Sequence, residues 1–167
     1  MISASVAHRP LEAFPLMRTT DVDVLNDSVA RTYGKSVIGF PSGTKGFHVH
    51  ANHCQLQSIA LTYASHAVPL QLDFSAFDHF AQLFAYRGQA EAIAGRRPVG
   101  IQESQSFVAS RGDSFKLNYG RNFEQLVLRI NPTALVKKLE ALGGDHLVSQ
   151  LKFNPSKIRP EYSESLR

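Results

Sequence analysis

Three histidines lie within six residues in the segment KGFHVHANH, at positions 48, 50 and 53. On a β-strand, side chains two residues apart project from the same face, so His48 and His50 would stand side by side. Neighbouring imidazoles are the beginning of a metal site, because neutral histidine nitrogens are common ligands of zinc and iron. The segment therefore raises the question of a metalloenzyme.

The rest of a metal-ligand set is missing from the sequence. A metal site needs three or four protein ligands, so a further carboxylate or histidine must follow nearby or come from a later strand. Residues 51–71 contain no Asp or Glu, and residues 80–130 contain no histidine. We therefore predict no native metal and no other cofactor, and we interpret His48 and His50 as surface or pocket-lining side chains.

Composition places the chain among ordinary soluble domains. It has 167 residues, of which 43% are apolar and 19% charged, which indicates one domain with a sizeable core. The net charge of +4 is scattered, which argues against a nucleic-acid surface, and no apolar run is long enough to span a membrane. The N-terminus lacks the apolar stretch of a secretion signal, and the single cysteine, Cys54, cannot form an internal disulfide, so we expect a cytoplasmic protein.

The segment TTDVDVLNDSVARTYGKS predicts an N-terminal helix. Thr20 is the expected N-cap, and Gly34 the expected stop. Val22, Leu25 and Val29 fall on one stripe of that helix.

Between residues 47 and 130, short apolar stretches alternate with turn signals about every ten residues. This pattern predicts six to nine strands in an antiparallel sandwich or barrel. Two hairpins are expected, one around residues 94–96 and one around residues 111–113. In the stretch HFAQLFAYRG, alternate residues share one face and form either plain core or a pocket wall with polar Gln82 and Tyr86: Phe80, Gln82, Phe84 and Tyr86.

Helix signals return after residue 130. Asn131 is the expected N-cap, Pro132 the first helical residue, and Gly143 lies just past the end. The stretch DHLVSQL predicts a short further helix. We place one compact domain at residues 1–151 and a linker, or the start of a further segment, at residues 152–167. An apolar stripe of the first of these helices is the expected dimer surface: Leu135, Leu139 and Leu142.

Three segments carry a resemblance to a known family: FPLMRTTDVDVLNDSVARTYG, LFAYRGQAEAIAGRRPVGIQ with QSFVAS, and FEQLVLRINPTALVKKLEALGG. Together they resemble the N-terminal, cupin-like sensor and dimerisation domain of AraC/XylS-type transcription regulators. The resemblance implies a mainly β fold, a cupin-like antiparallel sandwich or barrel, with an N-terminal helix and C-terminal helices. It runs from Phe14 to Gly144, most of the chain.

The resemblance implies a function in transcription regulation rather than an enzyme. The domain would bind a small-molecule effector, pair with a second copy of itself, and act on DNA only through a helix-turn-helix domain absent from this chain. Two alternatives stay open: a stand-alone cupin-like metalloenzyme using His48 and His50, and a module that only docks a partner. The residues expected to bind the effector are His48, His50, Tyr63, Gln82, Phe84, Tyr86 and Arg87.

Overall fold

A computed structural model describes residues 9–143, 151–153 and 157–158, which form twelve strands and two helices. In chain order these elements are β1 Pro15–Thr19, α1 Val22–Tyr33, β2 Ser36–Gly39, β3 Val49–Gln55, β4 Ile59–His66, β5 Leu70–Phe74, β6 Phe80–Arg87, β7 Gln89–Ala94, β8 Arg97–Gln102, β9 Ser106–Ala109, β10 Phe115–Tyr119, β11 Phe123–Ile130, α2 Pro132–Ala141 and β12 Lys157–Ile158.

Within these residues the strands form two antiparallel sheets. Sheet A has the order β1-β3-β4-β11-β6-β9-β12, and sheet B has the order β2-β5-β10-β7-β8. At the centre of sheet A, β11 pairs with β4 from Phe123 opposite His66 to Ile130 opposite Ile59, and it pairs with β6 on its other side. The predicted fold class, an antiparallel β-sandwich with flanking helices, is confirmed.

The core lies between the two sheets and follows the two-residue alternation of the strands. On β11 the inward positions are Phe123, Gln125 and Val127, and on β6 they include Leu83 and Ala85. Aromatic rings fill one end of the core, where the ring of Phe115 lies 5.0, 5.5 and 5.7 Å from three neighbours, namely Phe74, Phe77 and Phe107.

Helix α1 carries its apolar stripe into the core, as predicted: Leu25 and Val29 are buried. The predicted cap is wrong by one residue. Asp21, and not Thr20, is the N-cap, because its carboxylate accepts a hydrogen bond from the backbone N–H of Asp23 at 2.8 Å. Gly34 ends the helix as predicted, in a left-handed conformation with φ of 85°.

One of the two predicted hairpins forms. β7 and β8 pair across the turn at residues 95–96. The second prediction is wrong, because β9 belongs to sheet A and β10 to sheet B. The chain crosses between the sheets there, and the buried carboxylate of Asp113 holds the crossing by accepting from the backbone N–H of Ser110 at 2.8 Å.

Helix α2 begins as predicted: the Asn131 side chain accepts from the N–H of Ala134 at 3.1 Å, and Pro132 is the first helical residue. The further helix predicted for DHLVSQL lies almost wholly outside the described residues. Past residue 151 the chain still contacts sheet A, where the N–H of Phe153 donates to Ser110 Oγ at 2.7 Å and its ring packs on Phe80. The domain boundary at residue 151 stays a prediction.

The cap of α1 makes a testable difference between two adjacent residues. Asp21→Ala should lower the free energy of unfolding by about 1 kcal/mol. It removes the side chain that accepts a hydrogen bond from the N–H of Asp23, which has no partner within the helix. Thr20→Ala is the matched control and should change the stability by much less. Urea unfolding followed by circular dichroism measures both, and an equal or larger loss in Thr20→Ala would contradict the assignment of the cap.

Candidate ligand-binding site

Two small cavities lie in the interior, one between the two sheets and one between the sheets and α1. Each has a volume of about 50 Å³. They are adjacent, because they share four lining residues: Tyr33, Leu72, Tyr119 and Gln125. Ligand pockets are mostly apolar with a few placed polar groups, and this interior has that character.

Helix α1 supplies one wall of the second cavity. Leu25, Ser28, Val29 and Thr32 line it from the helix, and Tyr33, at the last turn, lines both cavities. The helix is amphipathic, so its apolar stripe has to be buried, and the opening between the sheets is where it is buried. Movement of α1 would therefore change the volume of the interior.

His66, at the end of β4, lines the second cavity and has an unpartnered ring nitrogen. The residue is only 5% exposed, and its Nδ1 lies 2.9 Å from the carbonyl oxygen of Val68. A carbonyl only accepts, so Nδ1 carries the proton and Nε2 carries a lone pair. Nε2 is buried and has no hydrogen-bond partner. Burial lowers the pKa of His66, which keeps the ring neutral.

Gln125 provides a second acceptor from the neighbouring strand. It is 9% exposed, and its Oε1 is buried without a partner. Its amide donates to the hydroxyl of Tyr119, an interaction that opposes the strong rise in the tyrosine pKa caused by burial. An unsatisfied buried acceptor costs about 1–3 kcal/mol, so two in one cavity wall need an explanation.

The charged residues of this region lie outside the cavities. Of the residues that the structure describes, none of those lining either cavity is Asp, Glu, Lys or Arg. Arg129 lies at the end of β11 with its guanidinium 5.8 Å from the centre of the Tyr33 ring, and it contacts Gln55. Tyr33 hydrogen-bonds Thr62, whose hydroxyl also pairs with Nδ1 of His53 at 2.8 Å. The interior is thus a neutral environment.

The residues predicted to bind the effector lie elsewhere, on the outer face of sheet A. The predicted alternation of Phe80, Gln82, Phe84 and Tyr86 is present, but the inward face of β6 belongs to the residues between them, such as Leu83 and Ala85. Gln82 donates to Ser106 Oγ at 3.0 Å, Phe84 is half-buried, and Tyr86 is exposed. None of these lines either interior cavity.

His50 is buried on the same outer face, where its ring nitrogens contact Arg9, Arg18 and Asn52. Asn52 Nδ2 donates to the carbonyl of Pro10 at 2.8 Å, so its Oδ1 accepts from His50 Nε2 at 3.1 Å. His50 Nδ1 then accepts from Arg9 at 2.7 Å. Burial, with Arg9 and Arg18 nearby, lowers the pKa of His50. Both ring nitrogens of His50 thus have hydrogen-bond partners within the protein.

Tyr63, Glu124 and Arg87 meet beside this chain. Tyr63 is 1% exposed and donates its hydroxyl to Glu124 at 2.7 Å, and burial together with that carboxylate raises its pKa to about 12. The other carboxylate oxygen of Glu124 lies 3.6 Å from the Arg87 guanidinium. Arg87, Arg9 and the exposed His48 line a solvent-open cleft of about 220 Å³.

The structure thus brings His48, His50, Tyr63 and Arg87 together and leaves Gln82, Phe84 and Tyr86 apart from them. Their roles in binding stay predictions. No group of three or more His, Cys, Asp or Glu side chains suited to a metal ion occurs in the described ranges. Likewise, no helix there is long and apolar enough to cross a membrane.

Sequence reasoning missed the polar residues that line the interior, among them Tyr33, Thr62, His66, Tyr119 and Gln125. One signal was present for Gln125, which lies alone between Phe123 and Val127 on the inward face of β11. A single amide in an otherwise apolar alternation indicates a polar group in the core. No comparable signal marks Tyr33 at the end of α1, because the residues that it contacts, such as Thr62 and Phe74, are distant in the sequence.

Comparison with known proteins now gives the family. The model of the AraC-binding-like domain family matches residues 25–162, well over half of the chain. The chain therefore belongs to the AraC-binding-like domain family.

One solved structure agrees with this chain at the level of the fold. The AraC-like transcriptional activator CuxR matches with 14% identity and a TM-score of 0.69, over 90% of this chain and 56% of that one. The chain thus spans little more than half of CuxR, and the likeness establishes the fold alone. A cupin superfamily protein from Desulfitobacterium hafniense matches with 10% identity and a TM-score of 0.45, over 50% of this chain and 77% of that one. The search of curated proteins finds no match.

The buried histidines predict that acid destabilises the fold. His50, His53 and His66 have lowered pKa values in the folded protein, so below the usual value of about 6.5 the unfolded chain binds more protons. The free energy of unfolding should therefore fall between pH 7.5 and pH 5.5, by at most about 1.4 kcal/mol per pH unit for each histidine. Urea unfolding across this range gives the slope.

A substitution of His66 measures how much of the pH dependence of stability comes from this one residue. His66→Gln removes its titration and should make the dependence of stability on pH shallower, whatever the change in stability at pH 7.5. A wild-type stability that is flat or that rises toward pH 5.5, or an unchanged slope in His66→Gln, would contradict the assignment.

Proposed function

We propose that the chain is the effector-sensing domain of an AraC-type transcription regulator in the cytoplasm, and not an enzyme. The family of the chain and its likeness in fold to an AraC-like activator support this proposal. The observation that carries it is the interior closed by α1, with two buried acceptors that have no partner in the protein. DNA binding would belong to a region outside this chain.

The effector would bind between α1 and the two sheets. Because α1 forms one wall, a ligand too large for the present cavities would bind best to an arrangement in which the helix has shifted. A ligand moves an equilibrium only by its difference in affinity for the two arrangements, and such coupling is typically about 1–3 kcal/mol. The position of α1 would then carry the signal to the regions that contact DNA.

A homodimer through α2 is part of the same proposal. None of the residues of α2 is buried, although the helix carries an apolar stripe. Leu135 and Leu139 are half-buried, and Leu142 is 72% exposed. Apolar side chains on an unburied helix face gain stability when a second copy covers them.

The effector site can be tested by filling the cavity from α1. Ser28→Phe places a ring at the mouth of the cavity and should abolish the rise in melting temperature given by small neutral ring compounds such as toluene, phenol and indole. Ala30→Phe adds the same ring to the exposed side of the helix and is the matched control. Thermal unfolding with and without each compound measures the shift. Equal shifts in the two variants would contradict the location of the site.

The dimer can be tested on the stripe of α2. The unmodified domain should sediment as a dimer, and Leu139→Glu or Leu135→Glu should make it a monomer, because a buried unpaired carboxylate opposes association. Lys137→Glu lies on the exposed side of the same helix and should leave the dimer intact. Circular dichroism verifies that each variant is folded. A monomeric wild-type domain at high protein concentration would refute the dimer.

A further inference from the structure

The two unpartnered acceptors lie on one inward face of sheet A. In the pairing of β11 with β4, Gln125 stands opposite Ala64, and His66 is two residues further along β4. Side chains in this diagonal arrangement are neighbours on the same face of a sheet. His66 and Gln125 both line one cavity, and His66 Nε2 and Gln125 Oε1 are both buried without a hydrogen-bond partner.

Both atoms can only accept a hydrogen bond. The contact of His66 Nδ1 with the Val68 carbonyl at 2.9 Å places the ring proton on Nδ1, which leaves a lone pair at Nε2. The side-chain amide of Gln125 hydrogen-bonds the Tyr119 hydroxyl, and its carbonyl oxygen is buried without a partner. A molecule that complements this wall must therefore bring hydrogen-bond donors.

The charge of the wall limits the ligand further. Among the described residues that line the two cavities there is no acidic or basic side chain. An ionised carboxylate, phosphate or ammonium group would lose its hydration there and gain no partner of opposite charge. Arg129 does not supply one, because it lies over the Tyr33 ring and contacts Gln55.

The apolar lining and the volume suit a single ring. Leu72, Phe107, Phe115 and Val127 line the first cavity, and its polar groups are few. The two cavities, of about 50 Å³ each, are adjacent and share Tyr33 in their walls. An apolar cavity of about 150 Å³ binds benzene, so a modest outward movement of α1 gives room for a ligand of that size.

We propose that the ligand of this site is an uncharged, largely apolar molecule with a hydroxyl donor, of the class of phenols and small alcohols, which donates to His66 Nε2 or Gln125 Oε1. This inference rests on the proposed function, since it names the chemical class of the effector that the domain senses. Burial keeps His66 neutral and so keeps its lone pair available near pH 7.

A matched set of probes tests the inference on the folded domain. Phenol and toluene have nearly the same shape, and only phenol donates a hydrogen bond, while benzoate adds a negative charge. Calorimetric titration should show phenol binding on the order of tenfold more tightly than toluene, because it satisfies a buried acceptor that toluene leaves unpaired. Benzoate should bind more weakly than either.

Variants tie the preference to the two acceptors. Gln125→Met and His66→Leu replace an acceptor by an apolar group, so each should reduce the preference for phenol over toluene while toluene still binds. Each should also raise the melting temperature of the ligand-free domain if it folds normally. Gln71→Met is the matched control, since Gln71 lies between the buried Leu70 and Leu72 on the outward face of β5. It should keep the full preference.

The outcomes separate this inference from the proposed function. Equal binding of phenol and toluene, tighter binding of benzoate, or a preference unchanged in both Gln125→Met and His66→Leu would overturn the hydroxyl-donor class and leave the cavity as a binding site. Binding of none of the three probes would overturn both proposals, and the two acceptors would then be satisfied by water alone.

Discussion

The pairing of β11 with β4 and β6 is the constraint on which the rest of the structure depends. β11 is bonded along its length to both neighbours, so its register decides which side chains of three strands face inward. A shift by one residue would bring Glu124 into the core and turn Phe123 outward. The large loss of apolar burial in that alternative holds the register that places Gln125 and His66 inside.

Closure by α1 follows from the same geometry. The two sheets leave an opening, and the stripe of Leu25 and Val29 is buried there because an amphipathic helix is stable only when its apolar side is covered. The packing is incomplete, however, and small cavities remain beside the helix. A wall that is buried yet loosely packed is well suited to respond to a ligand, because filling the space adds contacts that the ligand-free domain lacks.

The two faces of sheet A divide the polar groups by charge. The inward face holds neutral side chains such as His66 and Gln125, whose Nε2 and Oε1 atoms have no hydrogen-bond partner. The outward face holds charged side chains that are hydrogen-bonded to other side chains. Arg9 contacts His50, and Tyr63 donates to Glu124. Water and opposite charges stabilise ionised side chains on the outside. Burying an unpaired charge costs so much free energy that the interior accepts only neutral polar groups. The proposed effector site is therefore on the inward face.

The sequence by itself determined the class of fold and the order of α1, the strands between residues 47 and 130, and α2, but it gave no sign of β1 and β2. The stripe of α1, the cap at Asn131 and the alternation of β6 are local properties, and the structure bears them out. Tertiary pairing alone decided which face of β6 points inward. Both sets of alternate residues on this strand contain apolar side chains, so the sequence pattern does not distinguish the two faces. It also separated β9 from β10 and brought Tyr33, His66 and Gln125 to one cavity. Such contacts join residues far apart in the chain, and short-range patterns contain no information about them.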